Sequence, residues 1–444
     1  MERNLSFKMN RTNIAQIFFA LFIISLFFPI RHIFINHSSY STGLYSDFLS
    51  FSLYLSDILL FFSFLCILPR GINYYKLPLL YITWLLVGIL ALKSENFQLN
   101  WYFWLKYVEL AAVAYGTAAF LAQRDRFIRN FVSFFVFLCS FESILAIFQF
   151  ISQKSLGLYR LGEPYIYPLD LGLAKIVVSG TKYVRAYGTF PHPNLLSAFL
   201  FTGIMFNIWL LLKYRPIFQR LSLSFLLLLN IIGITVTFSR AGFLALAIGL
   251  ITLFVIILFK SSNRKIIIQT AGVVILSIFI SFSIFHKFLD TRATISDQAS
   301  KERIFYAKIS LQIIKNHPWF GTGIGESLLH MQQYSPVKLW PWEIQPVHNY
   351  FLLTAAESGI VSALLIILFF LIHIKHLIMK IGDSGKPNED LLPIFLLVIF
   401  FGYLILMQFD HYFYTLEQTQ MLLWVMLGII FAQTKSPIQI EKGI

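Results

Sequence analysis

Long apolar runs recur along the chain, and they limit its possible folds more than any other feature. A helix rises about 1.5 Å per residue, so about 20 apolar residues cross the roughly 30 Å hydrocarbon core of a bilayer. Hydrophobic residues make up 57% of the chain and charged residues 13%, whereas soluble domains are about a quarter charged. The sequence therefore predicts an all-α polytopic membrane protein, a single integral membrane domain over residues 1–444 with about twelve transmembrane helices. The predicted spans are 14–30, 48–68, 77–93, 101–122, 131–151, 193–212, 221–239, 241–259, 266–285, 349–374, 391–408 and 417–433.

The apolar stretch 221–259 is too long to be one membrane helix. Its 39 residues would make a helix of about 58 Å, nearly twice the hydrocarbon thickness. The only polar break is Ser239-Arg240-Ala241-Gly242, which carries the stretch's single charge. The chain is therefore predicted to fold back here, with Arg240 at the tip of a tight hairpin at the membrane face.

The basic residues predict the orientation of the spans. With a cytoplasmic N-terminus, the inner segments hold 19 of the 35 lysines and arginines, as the positive-inside rule requires. Because the net charge of +14 lies largely in short loops, nucleic acid is not the expected partner; membrane lipids are. We read the first apolar run as a retained span, since no small-residue cleavage site follows it. In this orientation the two long loops, 152–192 and 286–348, lie on the outer side of the membrane.

The larger loop, 286–348, is the longest polar segment and is predicted to contain a helix. Ser300 is a plausible N-cap, and Pro318 should end the helix after His317. A glycine-rich turn, Gly321-Thr-Gly-Ile-Gly325, and a segment rich in tryptophan and proline follow. Long loops between packed elements are often functional, so we expect this loop to form a lid and half of an active site.

Four candidate functional residues from distant segments fall on the same outer face by the order of the spans. They are Arg185, Arg240, Arg303 and His348. The guanidinium fork suits bidentate contacts with a diphosphate, and a histidine removes protons near neutral pH. Each residue also has a simpler interpretation. Arg185 would stack on aromatic rings in a surface loop, and Arg240 would anchor the hairpin to lipid headgroups. Arg303 would pair with Glu302 or Asp297, and His348 would cap a span.

Further polar residues inside apolar runs are secondary candidates, since charges within a membrane are often functional. Lys106 and Glu109 are three residues apart and are expected to pair. Glu357 lies about 180° around the helix from His348, so it should pair with a cation elsewhere or shape the site. His192, between two prolines, lines the cavity or shapes the turn. Asp57 and Glu142 are the other charged residues within apolar runs.

The two cysteines, Cys66 and Cys139, also lie in apolar segments. They are expected to be buried as small apolar groups.

No spacing typical of metal ligands occurs in the outer loops, so metal-independent chemistry without a cofactor is expected. The sequence Gly321-x-Gly-x-Gly325 follows a helix and not a strand, which fails the context required of a dinucleotide-binding turn. A connector is the favoured interpretation, although backbone N–H groups there would be able to meet an anion.

The pieces that carry these candidates resemble the O-antigen ligase and polymerase superfamily of bacterial envelope enzymes. They are Arg185-Ala-Tyr-Gly-Thr-Phe-Pro-His-Pro-Asn194, Thr237-Phe-Ser-Arg-Ala-Gly242, Arg303 with His317-Pro-Trp-Phe-Gly-Thr-Gly-Ile-Gly325, and His348-Asn349-x-x-Leu352 with Glu357-Ser-Gly-Ile360.

The resemblance implies transfer of a glycan from undecaprenyl diphosphate to an acceptor sugar, which in the ligases belongs to lipid A–core oligosaccharide. It implies that Arg240 and Arg303 hold the diphosphate, that His348 is catalytic, and that Arg185 also binds substrate. Glu357, Asn349 and His192 are possible supporting residues. The expected reaction is a single displacement with inversion, His348 acting as base. The resemblance also implies a bacterial inner membrane location, with the loops 152–192 and 286–348 in the periplasm.

Two rival functions stay open. A polymerase of the same superfamily would use a second lipid-linked repeat as its acceptor. A flippase or transporter for lipid-linked glycans would require polar groups along a path through the bilayer and some internal repeat. Because the candidate groups gather at one face and the two halves show no repeat, the sequence favours an enzyme. The identities of the glycan, the acceptor and the oligomeric state cannot be read from the sequence.

Overall fold

The computed structural model describes residues 11–67, 96–121, 125–170, 172–214, 216–261, 263–290, 298–383 and 391–433. The chain is mostly helical, as predicted. The helices are α1 (Arg11–Ser25), α2 (Leu55–Ile67), α3 (Phe97–Leu121), α4 (Asp125–Ser152), α5 (Pro193–Lys213), α6 (Ile217–Val236), α7 (Arg240–Lys260), α8 (Arg264–Asp290), α9 (Gln298–Asn316), α10 (Ser327–Tyr334), α11 (Tyr350–Asp383), α12 (Leu392–Phe409), α13 (Tyr412–Thr415) and α14 (Glu417–Gln433).

Seven helices among the described residues are long and apolar enough to cross a membrane: α4, α5, α6, α7, α8, α11 and α12. Four other predicted spans coincide with helices that do not meet this measure. Helices α1, α2 and α14 have 15, 13 and 17 residues, and α3 carries Lys106 and Glu109. The predicted span 77–93 lies outside the described residues. The structure therefore supports a multi-pass helical protein, while the count of twelve stays a prediction.

The expectation of purely helical structure is wrong in two places. Strands β1 (Arg31–Phe34) and β2 (Phe51–Tyr54) form an antiparallel pair, with Arg31 opposite Tyr54. Strands β3 (Lys175–Val178) and β4 (Thr181–Val184) form another within the loop 152–192. In the second pair, the backbone N–H and C=O groups form hydrogen bonds with each other next to the helix bundle. A long irregular loop would leave more of these groups without partners.

Helix α5 is the centre of the bundle. Its 21 residues are almost all buried, and helices α4, α6, α7, α12 and α14 pack around it. A helix that is apolar on every side is suited to this position. Its N-terminus, at Pro193, meets the loop of Arg185, and the candidate site is built at this end.

The predicted hairpin at Arg240 is confirmed. Helix α6 ends at Val236 and α7 begins at Arg240, so three residues make the turn. Phe238 adopts a positive φ of 46° there, and the Ser239 side chain accepts a hydrogen bond from the N–H of Gly242 at 3.2 Å. Such a cap stabilises a helix by about 1 kcal/mol.

Helix α11 is broken near its start, where Gly359 has a φ of 84° and a ψ of 168°. The segment after α9 packs into this break. Ile360 donates its N–H to the Pro318 carbonyl at 2.8 Å, and Thr322 and Gly323 donate theirs to Ala356 and Glu357 at 2.9 Å. The glycine-rich turn is thus a connector fixed against α11.

The loop helix α9 differs slightly from its prediction. It begins at Gln298 and ends at Asn316, so Ser300 lies inside the helix and is not its N-cap. The end near Pro318 is as predicted. Asp297, one predicted partner of Arg303, lies outside the described residues.

Candidate active site

The candidate site is centred on Asp410, which follows the last residue of α12. Its side chain is almost fully buried, with 9% exposed. One carboxylate oxygen, Oδ1, lies 3.5 Å from His348 Nδ1 and accepts the His411 backbone N–H at 2.9 Å. The other, Oδ2, accepts from Asn194 Nδ2 at 2.8 Å. The carboxylate therefore joins three segments that are remote in sequence.

His348 is held next to Asp410 by its neighbour Asn349. The Asn349 side-chain oxygen accepts the Leu352 N–H at 2.9 Å, which caps the start of α11. The Asn349 amide donates to the Gln408 backbone oxygen at 3.1 Å and to its side-chain oxygen at 3.2 Å. This bridge fixes the beginning of α11 against the end of α12. About a fifth of the His348 side chain stays exposed, so its ring remains accessible to a substrate.

Arg185 reaches the same centre through Asn194. Its Nε donates to the Thr237 carbonyl, and its NH2 donates to Asn194 Oδ1, both at 2.6 Å. Only 7% of the residue is exposed, so the alternative of a surface arginine is wrong. The result is a continuous chain of hydrogen bonds from Thr237 through Arg185, Asn194 and Asp410 to His348.

His192 has both of the roles that the sequence left open. Its Nδ1 accepts the Asn194 N–H at 3.1 Å and so caps α5. Its ring also lies 5.0 Å from the Tyr412 ring, beside the Asp410 segment. His192 therefore shapes the turn and lines the site at once.

The electrostatics around Asp410 keep one charge fixed. Burial alone would raise the pKa of Asp410, but the hydrogen bond and charge of His348 hold it well below its usual range. Burial lowers the pKa of His411 to about 3, although Asp410 opposes this. Burial and the charge of Arg185 lower the pKa of His192 to about 3. Near neutral pH, both of these histidines are uncharged beside an ionised Asp410.

Arg240 is the first residue of α7, three residues after Thr237, whose carbonyl holds Arg185. The positive end of the α7 dipole and the arginine charge are therefore at the same place, next to the network. Such a helix terminus favours an anion.

Arg303 lies on α9, three residues before Tyr306. The Tyr306 ring is 6.1 Å from the His348 ring, and residues three apart share a helix face. Arg303 is therefore on the side of α9 that carries the contact with His348.

Glu357 does not contact His348, as the helix geometry predicted. It accepts from Gly325 N–H at 2.7 Å, Ser327 Oγ at 2.7 Å and Tyr414 Oη at 2.9 Å. These donors are neutral, so the expectation of a cationic partner is not met among the described contacts. Glu357 shapes the site by tying the glycine turn to the segment after Asp410. Since Thr322, Gly323 and Gly325 all donate internally, their N–H groups do not form an anion-binding turn.

The predicted pair of Lys106 and Glu109 is confirmed at 3.0 Å and is part of a larger cluster. Lys106 Nζ also lies 2.5 Å from Asp57 and 2.8 Å from Glu417. Glu142, another charge within an apolar run, accepts from the N–H and hydroxyl of Thr189 at 3.0 and 2.9 Å. Cys139 is buried, as expected; the Cys66 side chain lies outside the described part of the chain.

Three potential metal ligands also meet here. One nitrogen each of His348 and His411 and one Asp410 oxygen lie within 4.8 Å of one another, a set that suits a divalent transition metal. Sequence spacing alone did not reveal this, because the ligands come from two loops. All three groups already have hydrogen-bond partners. Metal-independent chemistry stays a prediction that a chelator will test.

Sequence reasoning missed Asp410, His411 and Asn194. A signal was present for the first two: an Asp-His pair in a short outer segment, 409–416, between the last two predicted spans. Asn194 belongs to the motif that carries Arg185, but from the sequence it was interpreted only as a residue at the start of a helix. Its bridging position depends on α5 and α12 being neighbours, which no local pattern shows.

Comparison with known proteins bears on the central part of this site. Residues 223–367 match the family model described as O-antigen ligase. This segment contains Arg240, Arg303, His348, Asn349 and Glu357. No curated protein matches the chain. The family match supports the resemblance seen in the sequence: residues 223–367 of the chain are similar to the O-antigen ligase family.

Proposed function

We propose that this protein is an O-antigen ligase. It transfers a glycan from undecaprenyl diphosphate to lipid A–core oligosaccharide at the periplasmic face of the inner membrane. The observation that carries the proposal is the pairing of His348 with Asp410. His348, Arg240 and Arg303 all lie in residues 223–367, the segment that matches the O-antigen ligase family.

His348 is the general base in this proposal. When its Nδ1–H points to Asp410, the other nitrogen, Nε2, is free of its proton and is able to accept one from an acceptor hydroxyl. Asp410 orients the ring and stabilises the imidazolium that forms, as the third member of catalytic triads does. The distance of 3.5 Å is long for a hydrogen bond, and such contacts tighten when substrate binds.

The donor side uses fixed positive charge. As the acceptor oxygen bonds to the anomeric carbon, the bond to the diphosphate oxygen breaks and the anomeric configuration inverts. The leaving diphosphate gains negative charge, which Arg240, Arg303 and the N-terminus of α7 stabilise. The proton taken by His348 is released to solvent afterwards. This reaction requires no metal.

In this proposal the role of Arg185 differs from the substrate binding that the family resemblance implies. Its buried guanidinium is bonded to Thr237 and Asn194, so it positions Asp410 through Asn194. It also adds positive charge behind the diphosphate. Arg185 is therefore a positioning residue in this proposal.

The deciding experiment is a deletion of the gene in its host, with analysis of lipid A–core and of carrier-linked glycan. Loss of a ligase leaves lipid A–core unmodified while long glycan accumulates on the carrier lipid. Loss of a polymerase gives core capped by a single repeat unit. Single-repeat caps would replace the ligase proposal with the polymerase one, in which the donor-side residues keep the same roles.

A further inference from the structure

A cavity that is partly open to solvent lies beside the candidate active site. Its wall includes Phe48 and Thr415, and both contact His411. The Phe48 and His411 rings are 5.5 Å apart, and Thr415 Oγ1 is 2.7 Å from His411 Nδ1. The His411 ring is in turn 5.2 Å from the His348 ring. A ligand in this cavity would thus be separated from His348 by one side-chain layer.

The charges of the cavity wall argue against a second diphosphate. At its mouth, Arg31 pairs with Asp47 at 2.8 Å. Deeper inside, Lys106 is surrounded by the carboxylates of Glu417, Asp57 and Glu109. Since both cations of the wall are already paired with carboxylates, neither offers an uncompensated charge to a phosphate.

The same walls suit a neutral ligand rich in hydroxyl groups. Carboxylates and tyrosine hydroxyls accept hydrogen bonds from such a ligand, and Arg31 donates at the mouth. Phe48, Phe103 and Tyr107 supply aromatic faces between the two polar ends. A mainly apolar cavity with a few polar groups at fixed places is typical of a small-molecule site.

We infer that this cavity is an acceptor subsite, which binds a sugar residue next to the one that carries the reacting hydroxyl. The inference rests on the proposed function. It follows from the position of the cavity: the reacting sugar must touch His348, while the described cavity wall ends at Phe48 and Thr415, which contact His411. The subsite would select an acceptor by its neighbouring sugar and leave donor binding unchanged.

The test uses Leu110→Trp, which fills the cavity from α3 without altering a charge. The matched control is Leu105→Trp on the same helix, because Leu105 is 55% exposed and is not part of the cavity wall. The full-length protein in nanodiscs is assayed with carrier-linked glycan as donor. The two acceptors are lipid A–core from the host and the same core shortened by one sugar.

The expected result is that Leu110→Trp raises the KM for the intact acceptor about tenfold and abolishes its advantage over the shortened one. The KM for the donor and the melting temperature should match those of Leu105→Trp. If Leu110→Trp does not fold, Asp47→Asn at the mouth replaces it, with a smaller rise in acceptor KM expected.

The experiment distinguishes failure of the acceptor subsite from failure of the proposed function. A wild-type protein that transfers glycan, combined with an unchanged acceptor KM in the cavity variants, overturns the subsite alone. A rise in donor KM instead would assign the cavity to the donor and would also overturn it. A wild-type protein that transfers nothing from the diphosphate donor would overturn the proposed function itself.

Discussion

His348 and Asp410 are 62 positions apart in the chain, yet His348 Nδ1 lies 3.5 Å from Asp410 Oδ1. One residue precedes α11, and the other follows α12. The Asn349–Gln408 bridge holds the two helix ends together. This relationship turns an isolated histidine into a base with an oriented ring, and the predictions about catalysis depend on it.

Replacing His348 by alanine should lower the rate of transfer by about 10²- to 10⁴-fold, the usual contribution of a general base. Donor binding should persist, because the arginines remain. The control is His286→Ala, since His286 is exposed at the end of α8. Rates are measured with purified protein in nanodiscs, and donor binding separately. A His348→Ala protein with normal activity would remove histidine from the mechanism.

Replacing Asp410 by asparagine should reduce the plateau rate by about 10²-fold or more, because the ring loses its orienting partner. The pKa of Asp410 lies well below its usual range, so the wild-type residue is a carboxylate throughout pH 5 to 9. Rates are measured between pH 5 and 9, and an Asp410→Asn protein with the wild-type plateau rate would contradict the orienting role of Asp410.

His411 and His192, with pKa values of about 3, stay neutral between pH 5 and 9. Neither should therefore contribute a limb to the rate–pH profile of the wild-type protein over this range. A limb that disappears when His411 is replaced by asparagine would contradict this assignment.

Arg240→Ala and Arg303→Ala should each raise the donor KM about 10- to 100-fold, which corresponds to losing a charge-assisted contact of about 1.5–3 kcal/mol. Lysine at either position should restore only part of the loss, because it keeps the charge but not the fork. Lys301→Ala is the matched control, since Lys301 is an exposed cation on the same helix as Arg303. Full rescue by lysine would mean that only charge matters.

Some features of the site were predictable because local rules dictate them. The turn at Arg240 follows from the length of its apolar stretch, whatever surrounds it. The pairing of Lys106 with Glu109 follows from helix periodicity. The lack of contact between Glu357 and His348 also follows from helix geometry, because the two residues are about 180° apart around the helix.

Other features depend on which helices are neighbours, and sequence pattern does not contain this information. Asn194 bridges Arg185 and Asp410 only because α5 packs against α12. The burial of Arg185 has the same origin. The β1–β2 pair was missed because its residues were read as part of an apolar run or as a polar connection.

Gly359→Ala should destabilise the protein by at least about 2 kcal/mol. The φ of 84° is strained for alanine, and an added Cβ would be 2.0 Å from the Trp319 carbonyl oxygen. Gly272→Ala is the control, because no atom lies within 4 Å of its Cβ position. There, alanine should stabilise the helix by about 0.5–1 kcal/mol. Thermal unfolding in nanodiscs measures both, and equal melting temperatures would contradict the fixed connector.

The last prediction concerns the side of the membrane on which the site lies. The excess of lysine and arginine in the alternate short loops predicts that residues 286–348 face the periplasm. Lys338 is exposed in this segment, so a Lys338→Cys variant presents a thiol to solvent. The background carries alanine at Cys66 and Cys139, which leaves one reactive position.

An impermeant thiol reagent should label Lys338→Cys in intact cells whose outer membrane has been permeabilised. A cysteine at Lys260, which ends α7 at the opposite membrane face, should be labelled only after lysis. The reverse pattern would place His348, Asp410 and the arginines in the cytoplasm, where a donor exported across the membrane could not reach them.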